Sequence, residues 1–178
     1  MHMKHRFLLL LAVLLLCPLL AQAATQAQLN TEMVTRAGPG YEYPQELGVW
    51  PQSTPIVVVA VVTDNGGVQW AHVLFTDDEG DLYMSYTELS RMHTYSAWDE
   101  EPYRGADAFM LEDATVYLGP GDDYVARAEA IPKNACVSLC AYSDGYALIE
   151  YVENDHFVRG YVEESTVMTE REREMSFE

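Results

Sequence analysis

Basic residues are scarce in this chain. Its 178 residues include 10 Lys and Arg against 28 Asp and Glu, for a formal charge of −18. So acidic a chain is repelled by polyanions, which excludes nucleic acid, anionic membrane surfaces and polyanionic wall polymers as direct partners. Cysteine is scarce as well, with three residues in all. No Cys-x-x-Cys spacing is present to suggest a redox or metal pair. Long apolar runs are missing except for residues 7–20, a stretch of 14. That is short of the roughly 20 residues a membrane-spanning helix needs.

The apolar stretch has a basic start, His2, Lys4, His5 and Arg6, and ends in the small-x-small site Ala21-Gln22-Ala23. The pattern predicts a secretory signal peptide over 1–23, so an exported protein, extracellular or in the periplasm or cell envelope. Leu16 before Cys17 is not small, which argues against lipid attachment. Removing Lys4 and Arg6 leaves eight basic residues against 28 acidic, a formal charge of −20. The acidity is either a solvated surface or a field that steers a cationic ligand. No membrane insertion of the mature chain is expected. Export makes a disulfide between Cys136 and Cys140 the first guess. On a strand, however, their Cα atoms stand roughly 13 Å apart, and a disulfide needs less than about 7 Å. Two reduced, mostly buried thiols are expected instead.

What is present is a motif carried twice. Thr35-Arg36-Ala37-Gly38-Pro39-Gly40 returns as Val116-Tyr117-Leu118-Gly119-Pro120-Gly121, 81 positions later. Pro51 and Pro132 each follow the motif's proline by 12 residues. A β-branched run comes next, 56–59 in one copy and 137–140 in the other. Trp70 and Tyr146 open the following strands, and Tyr83-Met84 and Tyr161-Val162 close the units. A repeat at this spacing predicts two modules of about 60 residues. Strands are expected at 33–36, 46–50, 55–62, 68–75 and 82–85, with a helical turn at 86–90. The second set is 136–141, 146–152 and 157–162, after a lead-in at 128–131. The resulting division is module 1 at 30–91, an aromatic and acidic linker at 92–108, module 2 at 109–167 and a charged tail at 168–178. The fold class is all-β.

These residues resemble the bacterial SH3-like module, often found in tandem in exported envelope proteins. Arg36-Ala37-Gly38-Pro39-Gly40 and Trp70-Ala71-His72-Val73 carry the resemblance in the first copy. Gly119-Pro120-Gly121, Pro132-Lys133-Asn134, Gly145-Tyr146 and Gly160-Tyr161-Val162 carry it in the second. Tyr117 replaces the usual arginine, Tyr146 the usual tryptophan, and Leu82 stands where glycine usually precedes the closing aromatic. The resemblance implies a small bent barrel per module. It also implies noncatalytic recognition of a cell-wall peptide or an envelope protein.

No constellation for chemistry is expected. His72, His93 and His156 are the histidines after the signal, and a dyad of Cys136 or Cys140 with His156 is outweighed by buried thiols and a turn histidine. Asp77-Asp78-Glu79-Gly80-Asp81 has the wrong Asp and Gly register for a calcium loop and reads as a solvated turn. No cofactor or metal is called for. The functional argument rests on aromatics, whose faces flanked by acids hold peptides carrying amines. Tyr41, Tyr43, Trp70 and Tyr83 form one candidate groove, and Tyr124, Tyr146 and Tyr161 the other; completing two undersized cores is the competing role. Arg36 either stabilises its loop or contacts a carboxylate. The expected function is noncatalytic binding of a cell-wall peptide or an envelope protein. The alternative is a structural or regulatory envelope accessory with no small ligand. Strict alternation in 56–62 puts Ile56, Val58 and Ala60 on one face and Val57, Val59 and Val61 on the other. The second apolar face needs a cover, with Tyr95, Trp98 and Tyr103 expected and the opposing module as the alternative.

Overall fold

The computed structural model describes residues 25–93 and 100–175. The expected signal segment, Cys17, Tyr95 and Trp98 lie outside the described residues. The chain is all-β and forms two antiparallel sheets. The first holds β1 (Thr25–Leu29), β2 (Met33–Arg36), β3 (Gln45–Trp50), β4 (Ile56–Thr63), β5 (Gln69–Thr76), β6 (Leu82–Glu88) and β7 (Met92–His93), ordered β3-β2-β6-β5-β4-β1-β7. The second holds β8 (Ala106–Met110), β9 (Cys136–Ser143), β10 (Tyr146–Glu153), β11 (His156–Glu163) and β12 (Val167–Thr169), ordered β11-β10-β9-β8-β12. A short helix, α1 (Glu170–Met175), follows. Neither sheet closes on itself, since the outer strands of each do not pair with one another.

Local chemistry sets the turns. Asp64 Oδ1 accepts the amides of Gly66 and Val68 at 2.8 and 2.9 Å, which shapes the β4–β5 hairpin. Asp144-Gly145 and Asn154-Asp155 have positive φ at both positions, the conformation two-residue hairpin loops require. Four strands have no counterpart in the sequence-based expectation: β1, β7, β8 and β12, of which β8 begins inside the expected linker. Strand β6 runs on through Tyr86 and Thr87, which are buried, so the expected helical turn shrinks to a single 3-10 turn at Leu89–Arg91. Residues 128–131 form no strand, only an isolated bridge between Ala114 and Ile131.

Two bulges decide where the apolar side chains go. In β4 the register with β5 shifts between Val58 and Ala60. In β9, Leu139 and Ala141 face the consecutive residues Ile149 and Leu148, which leaves Cys140 unpaired. A bulge reverses the alternation beyond it. Ile56, Val58 and Val61 therefore join the first core with Val73 and Phe75. Val62 faces Trp70 and Tyr86. This overturns the strict alternation, which placed Val61 with Val57 and Val59. Val59 itself lies in a seam between the sheets with Leu74, Met84, Cys140, Leu148 and Tyr161. The opposing sheet covers it.

Across that seam the main chains bond reciprocally. Met84 N donates to Leu118 O at 2.9 Å, and Arg159 N donates to Ala37 O at 2.8 Å. Ala37 and Leu118 are 81 apart, as are Val59 and Cys140. Met84 pairs with Leu74 and Arg159 with Glu150 at matching places in the two ladders. The halves thus contact each other through equivalent residues, as in an isologous dimer. The ladders also correct the repeat alignment. Tyr161 faces Leu148 as Tyr86 faces His72, so Tyr86, not Tyr83, is its counterpart. Ser85, not Leu82, stands where Gly160 does.

Candidate functional site

The candidate aromatics do not form one groove. Tyr41 is 57 % exposed, while Trp70 is 1 % exposed. Their rings meet edge to face at 5.1 Å, and Trp70 Nε1 donates to Asp64 Oδ2 at 3.0 Å. Tyr43 is buried against Gly38, where a Cβ would land in its ring; Gly119 and Tyr124 repeat the arrangement. The Tyr43 hydroxyl donates to Glu150 of the second sheet. Tyr83 joins a different cluster with Trp50 and Phe75. Its hydroxyl donates to Asp77 at 2.9 Å, a bond that, with partial burial, pushes its pKa up to about 12. Arg36 Nη1 donates to the carbonyls of Tyr43 and Tyr41 at 2.7 and 3.3 Å, so it stabilises its loop.

In the second half, Tyr124 lies partly buried against the seam and Tyr161 is buried within it. Tyr146 packs against the same seam cluster but also reaches the surface. Its ring meets that of Tyr117 edge to face at 6.0 Å and 90°. Both are half-buried, and Tyr146 lines an open depression with Gly145, Glu163, Glu164 and Ser165. Partial burial and the charges of Asp122 and Glu163 raise the Tyr146 hydroxyl pKa. An aromatic corner beside several carboxylates can hold a cationic group.

A polar centre that the sequence did not announce sits where the sheets meet. Arg159 is 3 % exposed. Its Nε donates to Glu150 Oε2 at 3.0 Å, its Nη1 to Glu101 Oε2 at 3.2 Å, and its Nη2 to the carbonyls of Pro102 and Tyr103. Tyr86 OH donates to Glu101 Oε2 at 2.7 Å, and His72 Nδ1 lies 3.2 Å from Glu101 Oε1. His72 stacks on Tyr86 at 4.3 Å. Burial pushes Glu101 up, but His72, Arg159 and the Tyr86 hydroxyl outweigh it and hold the carboxyl below its ordinary value. Burial likewise opposes the charge on Arg159, and the groups around it hold its pKa well above the usual. A void of about 10 Å³, bordered by His72, Tyr86, Arg159 and Tyr161, lies at the seam. It has room for about one water molecule. The sequence held one clue. Arg159 stands between Val158 and Gly160 on a strand whose neighbours are apolar, in a chain with few cations.

The cysteines are free, Cys136 exposed and Cys140 buried. The expectation that both are mostly buried fails for Cys136, which opens β9. Burial raises the Cys140 thiol to about 11, which leaves little reactive thiolate at neutral pH. Among the described residues no group of three or more His, Cys, Asp or Glu could hold a metal ion. No described helix is long and apolar enough to cross a membrane.

No family model matches the chain, and no curated protein matches it. The solved structures to which it is similar include NlpC2 and NlpC1 of Trichomonas vaginalis, at 15 % and 14 % identity and a TM-score of 0.32 for each. The matches cover 84 % and 85 % of this chain but 49 % and 48 % of those proteins. The chain thus spans about half their length.

Proposed function

We propose that this chain is an exported, noncatalytic binding protein built from two SH3-like units. It recognises an amine-bearing peptide of the cell wall, or an envelope protein presenting one, at the surface around Tyr146. The observation that carries this reading is the Tyr117–Tyr146 corner, left open beside Asp122, Glu163 and Glu164. Tyr146 packs against the seam as Tyr124 does, but it is Tyr146 among the candidate aromatics that lines this open depression. A noncatalytic role is supported by His72, which is locked between a ring stack and the Glu101 carboxyl, and by a Cys140 thiol raised far above neutrality. The net negative charge adds long-range attraction for a cationic ligand.

Amide resonances followed during titration with peptidoglycan stem peptides test the reading. Shifts should centre on Tyr117, Tyr146 and Ser165, and weaken when the peptide's side-chain amine is acetylated. Tyr146→Ala should abolish them while the thermal melt stays cooperative. If the wild type shows no shifts, the wall-peptide reading fails, and the alternative of a structural or regulatory envelope protein replaces it.

A further inference from the structure

Residues 100–103, Glu100-Glu101-Pro102-Tyr103, belong to neither sheet's ladder, yet they are held as a peptide ligand is held. Among the described residues, strand β1 covers the edge of β4 opposite Ile56, Val57 and Val58. Beyond it, Glu100 makes a parallel bridge with Val61, and the Glu101 amide donates to Val61 O at 2.7 Å. This is main-chain pairing of the kind by which an extended peptide adds to a sheet edge. The Glu101 carboxylate enters the seam and takes Arg159, Tyr86 and His72 as partners. Arg159 also binds the next two carbonyls. The Tyr103 ring rests against Val62, Trp70 and Tyr86, and its hydroxyl donates to Glu42. Glu100 and Pro102 stay in solvent. The contacts therefore read one carboxylate, three main-chain groups and one aromatic.

The receiving side is built without this segment. Glu150 fixes the Arg159 guanidinium at 3.0 Å, Tyr43 in turn holds Glu150, and His72 is stacked on Tyr86. Each of these groups thus has a partner outside residues 100–103, on a strand or in the Tyr43 loop. In the second half no described residue pairs with the same edge beyond β8. Tyr142, 81 positions after Val61, is 49 % exposed. There Leu148, Tyr161 and Met84 replace His72, Tyr86 and Arg159, so that edge cannot bind a carboxylate.

We propose that the seam is a peptide-binding cleft for an extended segment of another protein, one carrying a glutamate followed two residues later by an aromatic. Residues 100–103 fill the cleft in cis and keep it closed until such a segment displaces them. This proposal does not rest on binding at Tyr146, which packs against the seam from the second half. A tethered occupant acts at millimolar effective concentration, so the displacing segment competes only after the strap opens locally.

The probe is the acetylated, amidated hexapeptide Glu-Glu-Pro-Tyr-Arg-Gly, the sequence of residues 100–105. The receptor is the full chain carrying Glu101→Ala and Tyr103→Ala, with Trp70 fluorescence and the melting temperature as readouts. The peptide should bind saturably and raise the melting temperature. Glutamine in place of its second glutamate should weaken binding about tenfold or more, as loss of charge-assisted hydrogen bonds does. The wild type should bind at least about tenfold more weakly than the variant, because its own strap competes. A folded variant that ignores the peptide overturns the proposal. Hydrogen exchange on the wild type decides the matter even if the variant does not fold. The Glu101 amide should exchange about 100-fold or more faster than that of Val73, by local opening. Equal rates would make residues 100–103 part of the core and overturn the proposal, and a strap-exchanged dimer in sedimentation would assign the cleft to a second copy instead.

Discussion

Arg159→Met removes the cation at the seam and leaves a side chain that the fold already accepts at the equivalent place, Met84. The change deletes hydrogen bonds to Glu150, Glu101 and two carbonyls. It leaves the Glu101 carboxylate, 9 % exposed, with only Tyr86 and His72 to meet it. Breaking a buried ion pair from one side costs about 3–5 kcal/mol. At about 2–4 °C per kcal/mol for a chain of this size, the melting temperature should fall by roughly 6–20 °C at pH 7. The pH dependence makes the test specific. In the wild type the folded Glu101 pKa is depressed below its ordinary 4.5. Its contribution is present above that value and is lost as pH falls through the folded pKa. In the variant, burial without Arg159 should raise the Glu101 pKa, so the penalty present at pH 7 is relieved as the group protonates. The gap between wild type and variant should therefore narrow from pH 7 to pH 4. Thermal melts by circular dichroism at both pH values measure it. A variant as stable as the wild type at pH 7, or a gap that does not change with pH, would refute the account of Arg159 as the partner of a buried carboxylate.

Three further outcomes follow from the packing. Alkylation of the native protein at pH 7 should modify Cys136 and spare Cys140 until denaturant is added; mass spectrometry showing both modified natively would contradict the buried seam. Gly105→Ala places a Cβ on the Leu139 carbonyl and should lower stability by about 1–3 kcal/mol, as overpacking does, read from a denaturant melt. Val59→Asp puts a carboxylate among Met84, Cys140, Leu148 and Tyr161. It should cost at least about 1–3 kcal/mol and enlarge the particle in small-angle scattering, where unchanged dimensions and stability would refute the seam.

The sequence was legible where one residue type has one physical use. The repeated Gly-Pro-Gly marks where a tyrosine ring lies against the main chain, as Gly38 and Gly119 show. The hairpin signals at Asp64, Asp144 and Asn154 placed their turns. The β-branched run 56–62 is a strand, and Val59 of its expected second face is covered by the opposing sheet. What alternation missed was the bulge at Val59. A bulge leaves no mark in composition, because the inserted residue is as apolar as its neighbours and only the partner strand shows the skip. The short strands β1 and β8 escaped notice because Thr-Gln-Ala-Gln and Ala-Asp-Ala carry little β preference; pairing with β4 and β9 makes them strands, an effect of tertiary context on weak propensity. The candidate site was harder to see. Its members, His72, Tyr86, Glu101 and Arg159, are scattered along the chain and are assembled only when the two sheets meet. No local spacing reports a site made by docking.

The seam also shows how a duplicated unit can come to hold one cleft rather than two. Reciprocal bonds from Met84 to Leu118 and from Arg159 to Ala37 bring equivalent residues together near the centre of the contact. Tyr86 and Tyr161 both lie there, with His72 stacked 4.3 Å from one ring and 6.2 Å from the other. A symmetric interface with arginine at both equivalent places would bury two guanidinium groups close together, and their mutual repulsion and desolvation would weigh against docking. With methionine at both, nothing would receive a carboxylate. One Arg and one Met give a charged side and an apolar side. The single guanidinium is matched by Glu150 from its own sheet and Glu101 from the connecting segment. Only the charged side can recognise an acidic peptide, and it is there that residues 100–103 lie. Exchanging the pair, Met84→Arg with Arg159→Met, should therefore weaken the hold on Glu101, so that its edge opens more often, and should not bring a segment to the other edge. The measurement is hydrogen exchange at the Glu101 amide, which should lose its protection while the ladder amides of β5 and β10 keep theirs. Retained protection at Glu101 would show that the strap is held by Tyr103 and the Val61 carbonyl alone, with the guanidinium incidental.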